Sequence, residues 1–206
     1  MSKKTARLFV IAAPSGAGKT TLVHALVTRH PELRFSISYT TRPKRRNEAD
    51  GVDYLFVDND EFTRLRDTGA LLEYAEVFDN HYGTSREQVS QHLDAGHNAV
   101  LEIDWQGAQQ VRESMPECIT VFIMPPSVTE LERRLRSRRT DSDRVINRRL
   151  RDALSDMSHW GDFDYVVIND DLETAVAELE AVFAGRGASS ATDNEALRHA
   201  VKGVIG

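Results

Sequence analysis

Only one cysteine, Cys118, occurs in the 206 residues. A single thiol cannot form an internal disulfide, so a reducing compartment is expected. Cys118 opens an apolar run and reads as core rather than as a nucleophile. No apolar run is long enough to span a bilayer. The opening Met-Ser-Lys-Lys-Thr-Ala-Arg has no apolar segment of the kind a secretory leader carries. A cytoplasmic protein without membrane partners is therefore expected. Lysine is scarce, five against 21 arginines, and the net charge is −6. An acidic chain argues against a nucleic-acid polymer as the main partner, because that would favour a basic face. Of the seven histidines, none is assigned a catalytic role. What remains is ordinary soluble composition, 40% hydrophobic and 28% charged, at a length that suits one domain with insertions.

Against this background one stretch stands out: Ala13-Pro14-Ser15-Gly16-Ala17-Gly18-Lys19-Thr20. It follows the apolar run Leu8 to Ala12 and precedes a helical reading from Thr21 to Thr28. Strand, glycine-rich turn and helix form the context of a phosphate-binding P-loop. Gly16 and Gly18 let the chain turn without side chains in the way, so consecutive N–H groups face one anion. The helix N-terminus presents its own unpaired N–H groups to the same phosphates. Lys19 adds a full charge, and the Thr20 hydroxyl is placed to ligate Mg²⁺. The general motif opens with Gly where this chain has Ala13. A nucleoside triphosphate is the expected ligand.

Downstream, Phe35 to Thr41 alternates as a strand would, and residues 42–51 are charged and aperiodic, a loop. Tyr54 to Val57 reads as a short strand. Asp58 or Asp60 caps a helix to Asp67, closed by Gly69. Leu71 to Phe78 is extended, and Asn80 to Thr84 turns into one more strand. Ser85-Arg86-Glu87-Gln88 and Ser127-Val128-Thr129-Glu130 are capping boxes. Strands Ala99 to Asp104, Ile119 to Met124 and Tyr165 to Ile168 alternate with helices Gln106 to Ser114, Ser127 to about Ser137, Ser142 to about His159, and one capped within Asn169 to Asp171. The tail after Gly185 offers one short helix, about Glu195 to Val201. Four short apolar strands separated by helices predict an α/β fold, a doubly wound parallel sheet with helices on both faces. Ligands in such folds bind beyond the carboxyl ends of the strands, where the loop, Asp104 and Asn169 fall.

Nine of the arginines lie between Arg133 and Arg151. A guanidinium fork grips phosphate oxygens bidentately where lysine cannot. The plainer reading is a solvated helix face paired with Glu130, Glu132 and Asp152.

Six motifs, in order, resemble bacterial guanylate kinase. They are the loop 13–20, Ser38-Tyr39-Thr40-Thr41-Arg42, Gly83-Thr84-Ser85, Ile103-Asp104-Trp105-Gln106-Gly107-Ala108, Pro125-Pro126-Ser127 and Asn169-Asp170-Asp171. The resemblance runs from about Leu8 to about Phe183 and accommodates Ala13, which bacterial members commonly carry. It implies transfer of the γ-phosphoryl group of ATP to GMP with Mg²⁺. It also implies a single domain, with core segments 7–35, 96–126 and 160–184, a β-rich GMP-binding insertion at about 36–95, a helical lid at about 127–159 and a tail, 185–206. The protein would be a monomer or a homo-oligomer.

Carried over by position, Arg42 and Arg45 would grip the GMP phosphate with the hydroxyls of Tyr54 and Tyr82. Glu73 would accept from the guanine ring N–H and amine, with Ser38 and Thr84 on the remaining edge. A carboxylate only accepts, so it favours guanine over adenine. Asp104, with Glu102 as the second candidate, would hold Mg²⁺ or its waters, and Asp104 would also be among the GMP-binding residues. Lys19, Arg42, Arg134, Arg138 and Arg149 would neutralise charge on the transferring group. Asn169 would contact adenine or cap the following helix. Arg139 and Asn47 stand where glycine is usual, which affects local loop geometry. A kinase for a ribose bisphosphate, and a non-catalytic binding module, are the competing readings. Glu73 with Ser38 argues against the first, and Lys19, Thr20 and the arginines against the second.

Overall fold

The computed structural model describes residues 6–77, 79–137 and 143–205. Two compact units are found, Met1–Val10 with Pro31–Ile119, and Ile11–His30 with Thr120–Gly206. A five-stranded sheet has the order β2-β7-β1-β8-β9. Strands β2 (Arg34–Phe35) and β7 (Ala99–Ile103) lie in the first unit, β8 (Ile119–Met124) falls almost wholly in the second with β9 (Tyr165–Ile168), and β1 (Leu8–Ala12) crosses the boundary. The pairs β2–β7 and β8–β9 are parallel, with Phe35 opposite Val100 and Phe122 opposite Val166. All five residues of β1 are buried, as are Val121 to Met124 of β8. Continuous apolar runs are what strands covered on both faces require. The α/β class and parallel pairing are those the sequence predicts.

The first unit carries a second sheet, β4-β3-β6-β5. Its strands are β3 (Ser38–Thr40), β4 (Leu55–Phe56), β5 (Leu71–Val77) and β6 (Asn80–Ser85). Helix α2 (Asn59–Asp67) packs Phe62 and Leu65 against Leu71, Tyr39, Val57 and Ala70. The Asp58 side chain caps α2 by accepting from the Glu61 N–H, and Gly69 ends it at φ 70°, both as expected.

The expected single strand from Phe35 to Thr41 is in fact two. Residues 34–35 join β7 in one sheet, and 38–40 join the other. Gln88 bridges the crossover. Its Oε1 accepts from the Ile37 N–H at 3.2 Å and the Ser36 hydroxyl at 3.5 Å. Gln88 lies on α3 (Arg86–Asp94), whose cap is Ser85. Ser85 does accept from the Gln88 N–H, but the Gln88 side chain is engaged at the crossover instead of closing the box. The second box is also half made. Ser127 caps α5 (Val128–Ser137) through the Glu130 N–H at 3.1 Å, and the Glu130 carboxylate turns to Arg133 and Arg134.

In the second unit, α1 (Lys19–Arg29) and α7 (Leu172–Phe183) are joined by Arg29 to Glu173 at 2.6 Å. Helix α6 (Asp143–Met157) runs into a 3₁₀ turn, 158–162. The tail is more ordered than its composition suggests. A 3₁₀ turn at 188–190 precedes a bridge from Ala191 to Tyr165, and α8 (Glu195–Ile205) buries Val201 and Val204. Gly187 is buried where a Cβ would stand 2.6 Å from Val182 and 2.9 Å from Tyr165. Its φ of −81° suits any residue, so glycine is required there by space alone. Gly187→Ala should therefore cost about 1–3 kcal/mol by overpacking, read as a lowered midpoint in urea unfolding. An unchanged midpoint would mean the tail does not pack as described.

Candidate active site

The glycine-rich loop links β1 to α1 within the second unit. Gly16 and Gly18 both adopt φ 92°, the left-handed region that favours glycine. The Ala17 N–H closes a turn onto the Pro14 carbonyl at 3.2 Å. Gly18 is the N-cap of α1, and no side chain caps that helix. By contrast Asp58, Ser85, Asp104 and Asp171 each cap theirs, on α2, α3, α4 (Trp105–Ser114) and α7. No side chain therefore competes with an anion at the first turn of α1, the kind of helix N-terminus that suits a phosphate. Lys19 is the first residue of the helix and half-buried, and Thr20 is exposed. Leu131 and Leu135 of α5 pack so closely on Gly16 that a Cβ there would meet both at about 3 Å.

The Ala17 carbonyl is held from two directions. Asn169, buried at the end of β9, donates its Nδ2 to it at 2.7 Å. Arg134 of α5 reaches it through one terminal nitrogen at 3.4 Å and reaches the Asn169 carbonyl through the other at 3.1 Å. The Nε of Arg134 binds Glu130 at 2.7 Å. Arg133 and then Arg134 hold the Glu130 carboxylate down at about 2. So Asn169 is no helix cap; Asp171 caps α7. Arg134 serves here as a brace on the loop backbone. Arg149 lies half-buried on α6, while Arg138 and Arg139 lie outside the described residues. Arg136 pairs with Glu132 and Asp143, and Arg148 faces Asp152 at 3.8 Å. These are the solvated pairs the plainer reading expected.

The first unit brings together several residues that the sequence resemblance places at GMP. Strand register sets Ser38 opposite Thr84 and Thr84 opposite Glu73. The Thr84 hydroxyl donates to Glu73 Oε1 at 2.6 Å, and Glu73 is only 3% exposed. A charge on an edge strand ordinarily faces water. Here the register shifts between Leu71 and Glu73, a β-bulge that leaves Leu71, Leu72 and Glu73 all buried. Bulges re-aim side chains in this way.

Arg42 follows β3. Its guanidinium lies over the Tyr54 ring at 5.3 Å and the Phe56 ring at 5.8 Å, positions that favour a cation. Tyr54 and Tyr82 meet edge to face at 6.0 Å. Burial, and then the Glu102 charge, raise the Tyr54 phenol, keeping it a neutral donor. Arg45 is exposed, its side chain 3.9 Å from Glu48. Glu48 is the residue sequence reasoning missed. It takes Arg42 bidentately at 2.8 and 3.0 Å and accepts from the Arg45 N–H at 2.8 Å. It lies six positions after Arg42 in a charged loop, a spacing that carries no periodic signal.

Asp104 is the N-cap of α4. Its Oδ1 accepts from the Gly107 N–H at 2.7 Å. Its Oδ2 is buried with no hydrogen-bond partner among the described residues. A buried carboxylate oxygen left open fits a hard cation or one of its waters.

Glu48 offers a direct check on its pairing with Arg42. The Arg42 hydrogen bond holds its carboxyl below the ordinary 4.5. A lowered folded value means the pair contributes above the unfolded range and is lost as pH falls through the folded one. Carboxylate NMR should show Glu48 titrating below 4.5, and Arg42→Ala should return it to the ordinary range. A Glu48 midpoint at the ordinary value in the unaltered protein would contradict the pairing.

Comparison with known proteins bears on both units. The guanylate kinase family model matches residues 5–185. A guanylate kinase of Alkalilimnicola ehrlichii is 55% identical over 176 residues, covering 85% of this chain and 87% of the relative. One from Methylococcus capsulatus is 54% identical over 175 residues, 85% and 86% of the two chains. The crystal structure of guanylate kinase from Anaplasma phagocytophilum is 33% identical and covers 98% of this chain and 96% of that one, at a TM-score of 0.74. Sequence identity above one half and a fold shared almost end to end lead to one assignment: the chain belongs to the guanylate kinase family.

Proposed function

We propose that this protein transfers the γ-phosphoryl group of ATP to GMP. A GMP phosphate oxygen attacks the γ-phosphorus, the bond to the β–γ bridging oxygen breaks, and ADP leaves as GDP forms. A phosphate monoester is already largely a dianion at neutral pH, so its oxygen needs no general base. That accords with a site to which no histidine is assigned. The work left to the protein is positioning and charge stabilisation.

The observation that carries the acceptor assignment is the buried Glu73 carboxylate with Thr84 on one oxygen. Guanine offers a ring N–H beside an exocyclic amine, the donor pair a carboxylate suits; adenine does not. Leaving such an acceptor unsatisfied costs about 1–3 kcal/mol. Ser38 stands in the same strand register. Arg42, with Arg45 and the phenols of Tyr54 and Tyr82, would take the GMP phosphate, Arg42 exchanging Glu48 for it. On the donor side the backbone of 13–18, Lys19 and Thr20 would hold the ATP phosphates. Arg134, Arg138 and Arg149 would offset charge on the transferring group, and Asn169 would border the adenine. We assign 36–95 to the acceptor region and 127–159 to the lid.

Mg²⁺ would neutralise the donor phosphates and polarise the phosphorus under attack. The open Oδ2 of Asp104 fits it or its water, and the Thr20 hydroxyl is the candidate ligand on the donor side. No helix among the described residues is long and apolar enough to cross a membrane, and a cytoplasmic location accords with the single reduced, buried cysteine.

An ADP-release assay across GMP, AMP, CMP, UMP and ribose phosphates tests the proposal. Turnover should centre on GMP; equal turnover of a ribose phosphate without a base would overturn it. Lys19→Ala should lower kcat by about a thousandfold or more while the thermal melt stays near that of the unaltered protein. Near-normal turnover in that variant would contradict the role given to the loop.

A further inference from the structure

Gly107 does not need to be glycine for its backbone. Its φ is not among the positive values in this chain, and glycine is a poor helix former. Space is what it supplies. A Cβ there would stand 2.5 Å from Glu73 Oε2 and 3.1 Å from its carboxyl carbon. The carboxylate cannot easily retreat, because it is buried and Thr84 donates to its other oxygen at 2.6 Å. The same residue also touches the second carboxylate, since the Gly107 N–H donates to Asp104 Oδ1 at 2.7 Å.

Three residues further along α4, the Gln110 amide completes the edge of the sheet. Its Oε1 accepts from the Tyr74 N–H at 3.1 Å, and its Nε2 donates to the Tyr74 carbonyl at 2.7 Å. That is the pair of bonds a neighbouring strand would make, and β5 is the last strand of its sheet. Tyr74 directly follows Glu73, so the amide fixes the backbone that carries the carboxylate, next to the bulge that aims it inward.

We propose that α4 sets the guanine selectivity of this enzyme. Gly107 gives Glu73 its room and Gln110 fixes its strand, so both are positioning residues for base recognition. The proposal rests on the reading of Glu73 as the acceptor of the guanine N–H and amine.

The test is steady-state kinetics of the full chain with GMP and with IMP, whose base lacks the exocyclic amine. Gly107→Ala should raise KM for GMP about tenfold, the loss of one displaced hydrogen bond. It should compress the GMP-to-IMP ratio of kcat/KM and leave KM for ATP unchanged. Gln110→Ala should move the ratio in the same direction, about threefold or more. Adding Glu73→Asp to Gly107→Ala should recover part of the ratio, because the shorter side chain regains the room. Glu73→Gln separates the two levels of the claim. If it collapses the ratio while Gly107→Ala and Gln110→Ala leave it intact, the role of α4 is overturned and the reading of Glu73 stands. If Glu73→Gln leaves the ratio unchanged, both fall. Should Gly107→Ala fail to fold in a thermal melt, Gln110→Ala decides alone, an unchanged ratio overturning the proposal.

Discussion

A carboxylate taken out of water must be given partners or lose its charge, and the small sheet of the first unit is arranged around that constraint. Glu73 sits 3% exposed on an edge strand, where a charge would ordinarily face solvent. A bulge turns it inward, the Thr84 hydroxyl meets one oxygen, and Gly107 stands aside from the other. Neither the bulge nor the glycine is stabilising alone: a bulge breaks a ladder, and a helical glycine lowers propensity. Together they hold a fixed carboxylate, the kind of group that suits a purine with two adjacent donors. Preorganisation of this kind removes the cost of arranging the site when ligand binds.

The donor half shows the complementary arrangement. The ligand proposed for its loop is an anion, which backbone N–H donors suit. Helix α1 begins on a left-handed glycine with no side-chain cap and no acidic residue in its first turn. The carbonyl that could compete for those donors, Ala17, is turned to Asn169 and Arg134. Arg134 is itself oriented by Glu130. Ion pairs on such helices are usually worth little to stability, but this one fixes the direction of a guanidinium that reaches the loop backbone.

How much could be read beforehand follows from how local each feature is. The phosphate loop is contiguous, so Gly16, Gly18, Lys19 and Thr20 declare it without tertiary help. The apolar strands and the caps Asp58, Ser85 and Ser127 are equally local, whereas the capping role of Asp104 was not read beforehand. The burial of Glu73 is not, because it needs a register shift against β6 and a gap on α4. The pairing of Arg42 with Glu48 lies inside an aperiodic loop. Gln88 and Glu130 matched the capping-box pattern, yet Gln88 turned to the distant crossover and Glu130 to Arg133 and Arg134 on its own helix. Asn169 allowed two local readings, and its bond to Ala17 comes from a strand far along the chain. The break between β2 and β3 was hidden because either sheet suits the same alternation.

The most direct measurement is a crystal structure of the protein with GMP bound. The guanine ring N–H and exocyclic amine should lie on the Glu73 carboxylate at about 2.7–3.0 Å, with the Thr84 hydroxyl still on Oε1. Arg42 should be turned from Glu48 to the GMP phosphate. A guanine seated away from Glu73, with Arg42 still paired to Glu48, would contradict it.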